Sequence, residues 1–179
     1  MNPMSATAII LAAGASRRMG SPKALLQLNS KTLVTHHIDR FLAYSQRVIV
    51  VTGCDGEQIA EVVGRTAQCI HNPHWDTTEP IDSLLLALAG CDDTALWITP
   101  VDTPPASPQL LDAMWSAGAP CVPLFEGQPG HPVLIGRTPA LQRHSLPHEL
   151  NPSRQRRHGR IFQSPEATER RVDRGRLVA

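Results

Sequence analysis

Residues 7–23 read TAIILAAGASRRMGSPK, and the fold is decided by how this stretch changes character halfway along. The first half, TAIILA, is short, apolar and rich in β-branched residues, which is the pattern of a strand buried on both faces of a parallel sheet. The second half is a turn. Gly14 and Gly20 bracket ASRRM, and Arg17, Arg18 and Lys23 bring three cations into ten residues. A glycine-bearing turn after a buried strand can aim several backbone N–H groups at one anion. Arginine forks two hydrogen bonds to phosphate oxygens, and lysine acts as a mobile point charge. The spacing matches neither the dinucleotide fingerprint nor the P-loop. A solvated turn with two arginines would have the same composition.

Outward from this stretch the chain alternates. Apolar runs at 47–52 (RVIVVT), 67–71, 95–99 (ALWIT) and 120–124 predict four more buried strands. Helical patterns fall between them at 32–43, 57–63, 81–89 and 108–116. In the first helix Leu33, His37, Phe41 and Leu42 are the expected inner face. Asp82 and Ser83 are expected at the start of the third, and Ser107 with Pro108 caps the fourth. Strands alternating with helices predict an α/β domain with a mostly parallel sheet. Ligands of such sheets bind at the carboxyl ends of the strands, which directs attention to the loops after strands one to four.

The 179 residues suffice for one domain with a core. No apolar run is long enough to span a membrane, and the apolar start is too short for a secretion signal, so a cytoplasmic protein with no membrane partner is expected. Cys54, Cys69, Cys91 and Cys121 are spaced too widely for a CxxC zinc site, and are expected as small hydrophobes near strand ends. Net charge is unevenly spread. Residues 1–136 hold seven Lys and Arg against twelve acids, and residues 137–179 hold ten Arg against four. The division expected is a core at 1–136 and an Arg-rich extension of the same domain at 137–179, with short edge strands at 160–163 and 171–173. The tail has no aromatic besides Phe162 and the body is acidic, which argues against a nucleic-acid partner.

The stretch LAAGASRRMGSPKALL resembles the signature loop of the MobA-like nucleotidyltransferases, through Leu11, Ala12, Ala13, Gly14, Ser16, Arg18, Met19, Gly20 and Lys23. NPHW at 72–75 with Ser83 and Leu84, TPVDTPP from Thr99, and GHPVLI from Gly130 are similar to further motifs of that family. The last is most like its molybdenum cofactor (molybdopterin) cytidylyltransferase branch. The resemblance implies a Rossmann-like three-layer nucleotidyltransferase fold. It implies transfer of a nucleotide from a nucleoside triphosphate to molybdopterin or another phosphorylated small molecule, with pyrophosphate leaving. Arg18, Lys23 and Asp102 would be catalytic. Leu11, Ala12, Ala13, Gly14, Gly53 and Ser83 would join them in holding the nucleotide. Asp102 would bind Mg²⁺, although D-T-P is also ordinary turn chemistry. Gly53 and Ser83 serve equally well as strand terminator and helix cap. His131 would touch the acceptor or serve as a structural hydrogen-bonder. Ala13, in L-A-A-G rather than L-A-G-G, favours CTP over GTP.

Two departures stand against the match. Asp76, Thr77, Thr78, Glu79 and Pro80 follow NPHW where the family carries glycine and methionine, adding negative charge near the base or ribose. The family's C-terminal D-[IV]-[DN]-T-P motif, which completes the metal site, has no counterpart after Arg137; Asp173 is the candidate substitute. Two alternatives follow. One is a catalytically weak protein that binds nucleotide or molybdenum cofactor and delivers it to a molybdoenzyme or its chaperone. The other is a sugar-phosphate nucleotidyltransferase.

Overall fold

The apolar run after Ala6 forms β1 (Ala6–Ala12), an inner strand of the sheet. In the computed structural model, residues 6–16, 20–136, 170–173 and 176–178 are described. β1 lies parallel to β4 (Arg47–Thr52), with Ala8 opposite Val48, and to β6 (Ala95–Pro100), with Ile9 opposite Ile98. Side chains alternate across a strand. Ala8 and Ile10 therefore enter one core with Val34, Ile38, Phe41, Leu111 and Met114, and Ile9 enters the other with Leu84, Ala87 and Ile135. Helices α1 (Leu33–Leu42), α2 (Gly56–Val63) and α4 (Pro108–Ala117) cover the first face. Helix α3 (Pro80–Leu88) covers the second. This is the three-layer, Rossmann-like α/β arrangement expected, with a mostly parallel sheet.

Completing the order are β2 (Gln27–Leu28), β3 (Lys31–Thr32), β5 (Gln68–His71), β7 (Cys121–Phe125), β8 (Gln128–Pro129), β9 (Val133–Gly136), β10 (Arg170–Asp173) and β11 (Arg176–Val178). The sheet runs β11-β10-β7-β9-β6-β1-β4-β5, with β8 paired to β7. β9 was not expected as a strand. It enters antiparallel between β6 and β7, and its Leu134 faces both Trp97 and Cys121. β10 is not at the sheet's edge, because β11 pairs beyond it. The strand expected at 160–163 lies outside the described residues.

Helix α1 is capped by Thr32, whose Oγ1 accepts from the Thr35 amide at 3.4 Å. Its buried face is Val34, His37, Ile38 and Phe41, an i, i+3, i+4, i+7 stripe. Leu42 is 44% exposed, which corrects the expected face. α4 starts as expected, with Ser107 Oγ accepting from the Leu110 amide at 3.2 Å and Pro108 in the first turn. α3 begins one residue early, with Asp82 Oδ2 accepting from the Glu79 amide at 2.9 Å. Trp97 is fully buried and anchors the larger core, its ring centroid 6.0 Å from Phe41 and 5.9 Å from Trp115. The four cysteines form no disulfide; Cys91 and Cys121 are buried, and Cys54 and Cys69 half-buried. Burial pushes the Cys69 and Cys121 thiols up. Among the described residues no helix is long and apolar enough to cross a membrane.

Candidate functional site

The carboxyl ends of β1 and β6 lie side by side because the strands are parallel neighbours. One further bond joins them past the sheet, as the Val101 amide donates to the Leu11 carbonyl at 2.9 Å. Above this junction opens a cleft of about 560 Å³. Leu11, Ala12, Ala13 and Gly14 line it from β1, Pro100, Val101 and Asp102 from β6, and Thr78, Glu79, Pro80 and Ser83 from the start of α3. His131 closes the side toward β9.

The loop leaving β1 is folded back by two backbone reversals, with Ser16 at φ 46° and Gly20 at φ 68°. Ser16 Oγ then accepts from the Lys23 amide at 3.0 Å, which ties the loop's two ends together. A 3₁₀ turn, Lys23–Leu25, follows and aims Lys23 across the cleft. Its Nζ lies 2.7 Å from Asp102 Oδ2. Both side chains are partly exposed, 37% and 45%, so they can exchange partners. Arg18, expected beside them, lies outside the described residues.

Asn72 organises the α3 wall. It is buried, its Oδ1 accepts from the His74 amide at 3.0 Å, and its Nδ2 donates to Thr78 Oγ1 and Ser83 Oγ, both at 3.0 Å. A primary amide has two donors and an acceptor in one plane, and here all three are used. Ser83 is thereby placed in the cleft as well as near the helix start. Trp75, from the same turn, packs onto Gly53. A Cβ at Gly53 would sit 2.4 Å from Trp75 Cβ and 2.6 Å from the Ala13 carbonyl oxygen. Gly53 therefore supports the cleft from behind. It lines a separate hollow with Asp55, Gly56 and His71 rather than the cleft itself. His74 also stays outside the cleft lining, and its carbonyl accepts from the amides of Thr77 and Thr78.

Of the residues singled out in the sequence, the structure thus gathers Leu11, Ala12, Ala13, Gly14, Lys23, Ser83, Asp102 and His131 around one cleft. Glu79 joins them, so the acidic departure after NPHW does face the cleft. The backbone of Asp173 ends β10, three strands from β6, or about 14 Å at the spacing of paired strands.

Two histidines flank the Asp102 loop. At His131, desolvation lowers the pKa below the usual 6.5, while the Ile98 backbone and Asp102 pull it up. His37 is fully buried, and burial lowers its pKa too, against the Thr103 and Val101 backbone. Its Nε2 donates to the Thr103 carbonyl at 3.0 Å. The sequence placed His37 only on a helix face, since a partner that is a backbone carbonyl leaves no mark in residue types.

A cleft floored by backbone, with one lysine and one aspartate meeting across it, can neutralise a polyphosphate and hold a cation against it. Its relatives are consistent with that chemistry. The sequence profile of the MobA-like NTP transferase domain matches residues 8–167. The molybdenum cofactor cytidylyltransferase of Escherichia coli (strain K12) is 30% identical over 148 residues, covering 80% of this chain and 76% of that one. A molybdenum cofactor guanylyltransferase of Shewanella putrefaciens is 28% identical over 145 residues, covering 78% and 73%. Among solved structures, Rv0371c from Mycobacterium tuberculosis superposes with a TM-score of 0.72 at 21% identity, covering 96% of this chain and 89% of that one. Its manganese complex superposes at 0.70. With the fold, the cleft and the sequence match in agreement, the chain belongs to the MobA-like NTP transferase family.

Proposed function

We propose that this nucleotidyltransferase takes CTP in preference to GTP and moves its CMP unit onto a phosphorylated small molecule, molybdopterin being the acceptor favoured. The observation that carries the reading is Lys23 Nζ standing 2.7 Å from Asp102 Oδ2 across a cleft floored by Leu11–Gly14. Base and ribose lie along the β1 end and the α3 wall, where Ser83 and Glu79 face them. The triphosphate lies toward Lys23 and, by its place in the loop, Arg18. Supporting cytidine are Ala13 in L-A-A-G and the similarity to the cytidylyltransferase branch.

Mg²⁺ is the metal we assign, and the residues fit it in one manner. Among the described residues no three His, Cys, Asp or Glu side chains gather into a cage. Mg²⁺ commonly takes one or two carboxylates plus phosphate oxygens and water. Asp102, 45% exposed, leaves room for that set. The fit is to a cation that arrives with the triphosphate. Bound there, the cation would neutralise charge on the phosphate oxygens.

The chain's own residues do the rest by position and charge. Lys23 leaves Asp102 for the phosphates, which frees the carboxylate that would hold the cation. An oxygen of the acceptor's phosphate attacks the α-phosphorus in line, forming a P–O bond. The bond from the α-phosphorus to the bridging oxygen breaks, and pyrophosphate departs with that electron pair. Lys23 and Arg18 stabilise the charge on the departing group, and His131 borders the acceptor. No side-chain nucleophile is needed. We further assign residues 1–136 as the core and 137–179 as an extension of the same domain, a reading supported by β10 pairing with β7.

The test is pyrophosphate release with each nucleoside triphosphate, Mg²⁺ and candidate acceptors. Release that depends on CTP and molybdopterin, and is lost in Lys23→Ala and Asp102→Ala, is the expected result. Tight nucleotide binding without turnover under any acceptor would overturn it. That result would favour the second reading, a carrier that hands cofactor to a molybdoenzyme or its chaperone. Among the described residues of the cleft only Asp102 pairs with Lys23, with Glu79 standing apart on the α3 wall, and a single carboxylate at the phosphate end speaks for that reading.

A further inference from the structure

His37 is 1% exposed, and the transfer scheme gives it no part. Its Nε2 bonds the carbonyl of the residue that follows Asp102. A carbonyl only accepts, so Nε2 carries the proton of the neutral ring. Nδ1 is then a bare acceptor, buried, with no hydrogen-bond partner among the described residues. An orphaned buried acceptor destabilises a fold, and a leucine of similar bulk would avoid the penalty. An imidazole retained at this place therefore calls for an explanation in its other nitrogen.

That nitrogen holds the Asp102 loop from the side. From below, the loop is tied by the Val101 amide to Leu11 at 2.9 Å. It is closed on itself by Thr103 Oγ1, which donates to the Pro100 carbonyl at 2.8 Å and lies 3.1 Å from Thr99 Oγ1. These bonds fix the turn's shape. Toward α1 the turn is held by the packing of Val101 and Ala106 against Val34, Ile38 and Phe41, and the His37 side chain adds a hydrogen bond from α1 to the Thr103 carbonyl across 66 residues of sequence. Asp102 sits between the two attachments.

We propose that His37 is a positioning residue for Asp102. Its Nε2–H···O=C bond to Thr103 holds the carboxylate at the height where it meets the cation that the triphosphate brings. This role rests on the nucleotide and metal reading of the cleft given above. Groups that orient a metal ligand from behind commonly change metal affinity by roughly 10–100-fold when removed.

The test compares wild type, His37→Leu and His37→Gln by Mn²⁺ electron paramagnetic resonance titration with CTP present, with Tm recorded for each. Leucine fills the space without a donor, and glutamine returns an N–H near Nε2. Mn²⁺ affinity about tenfold weaker in His37→Leu, and restored to within about threefold in His37→Gln, is expected. Equal affinity in wild type and His37→Leu would overturn the proposal. So would equal loss in both variants, since packing and not the bond would then be responsible. Wild type that takes up no Mn²⁺ with CTP would sink the cleft reading itself, and the positioning role with it. ¹⁵N spectra of the wild-type imidazole need no variant to fold, and an Nδ1–H tautomer at His37 would also overturn the proposal.

Discussion

Lys23 and Asp102 are counter-ions to each other, 2.7 Å apart, although 79 residues separate them in the chain. Each therefore occupies the partner that a metal–nucleotide complex would claim. Metal alone must compete with Nζ for the carboxylate, and nucleotide alone strands the carboxylate. A metal and triphosphate arriving together satisfy both. Lys23→Ala is thus expected to leave metal affinity without nucleotide unchanged or stronger, while CTP affinity falls roughly ten- to hundredfold, the range for a lost charged hydrogen bond. Stability should change by less than about 1 kcal/mol, because both side chains are partly solvated. Isothermal titration with Mn²⁺ and with CTP, separately and together, checks this. Weaker binding of metal alone in Lys23→Ala would contradict the exchange of partners.

Asn72 should be the residue whose loss damages wall and fold together. Its amide makes three hydrogen bonds, to the His74 amide, Thr78 Oγ1 and Ser83 Oγ. Asn72→Ala leaves those groups to find partners in a buried place. We expect about 2–4 kcal/mol of destabilisation by denaturant titration. A raised KM for the nucleoside triphosphate should accompany it, as Thr78 and Ser83 are released. Asn72→Asp keeps the acceptor and loses both donors, and should fall between the two. A KM unchanged in Asn72→Ala would mean that the wall does not contact the nucleotide.

Two glycines at the site should behave oppositely. At Gly53 an added methyl meets the Ala13 carbonyl oxygen at 2.6 Å, and a backbone atom cannot rotate away. Gly53→Ala is expected to destabilise by about 1–3 kcal/mol and to displace Ala13, weakening CTP binding. At Gly14 nothing lies within 4 Å of the added methyl. Gly14→Ala should leave stability within about 0.5 kcal/mol of wild type, while CTP binding falls because the methyl enters the cleft's lining. Thermal unfolding with and without CTP separates the cases. Equal stability of the two variants would contradict the close approach at Gly53.

The parallel strands were legible because a strand buried on both faces is a near-continuous apolar run, as in AIILA of β1, VIVV of β4 and ALWI of β6. β9 was not, since VLIG is four residues long and pairs with segments that its own pattern does not reveal. The β2–β3 hairpin escaped for a similar reason: QLNSKT is polar, and Asn29 at φ 53° makes the turn. At the site, the phosphate loop and Asp102 stood out because glycines and charges concentrate there. Gly53 read as a nucleotide contact or a strand terminator, and the close approach of Trp75 and Ala13 to it needs the fold to be seen. Asn72 was visible only as a motif letter until its three partners were placed around it.

His37 also sets an expectation for stability against pH. Burial lowers its folded pKa below the usual 6.5 of the unfolded chain. As pH falls through 6.5 the unfolded chain takes up a proton that the folded ring resists. The unfolded state then binds more protons, so stability falls with falling pH. One such group contributes at most about 1.4 kcal/mol per pH unit, and only below 6.5. His37→Gln cannot titrate and should remove this part of the slope while keeping a donor toward Thr103. Denaturant titrations of wild type and His37→Gln at intervals from pH 7.5 to 5 check it. The two curves should run together above 6.5 and diverge below, with the variant falling less steeply. Parallel curves through the whole range would mean that the ring is protonated in the fold as readily as in the unfolded chain. Nδ1 would then have an acceptor close by, and Nε2 would no longer be the only nitrogen with a hydrogen-bonding task.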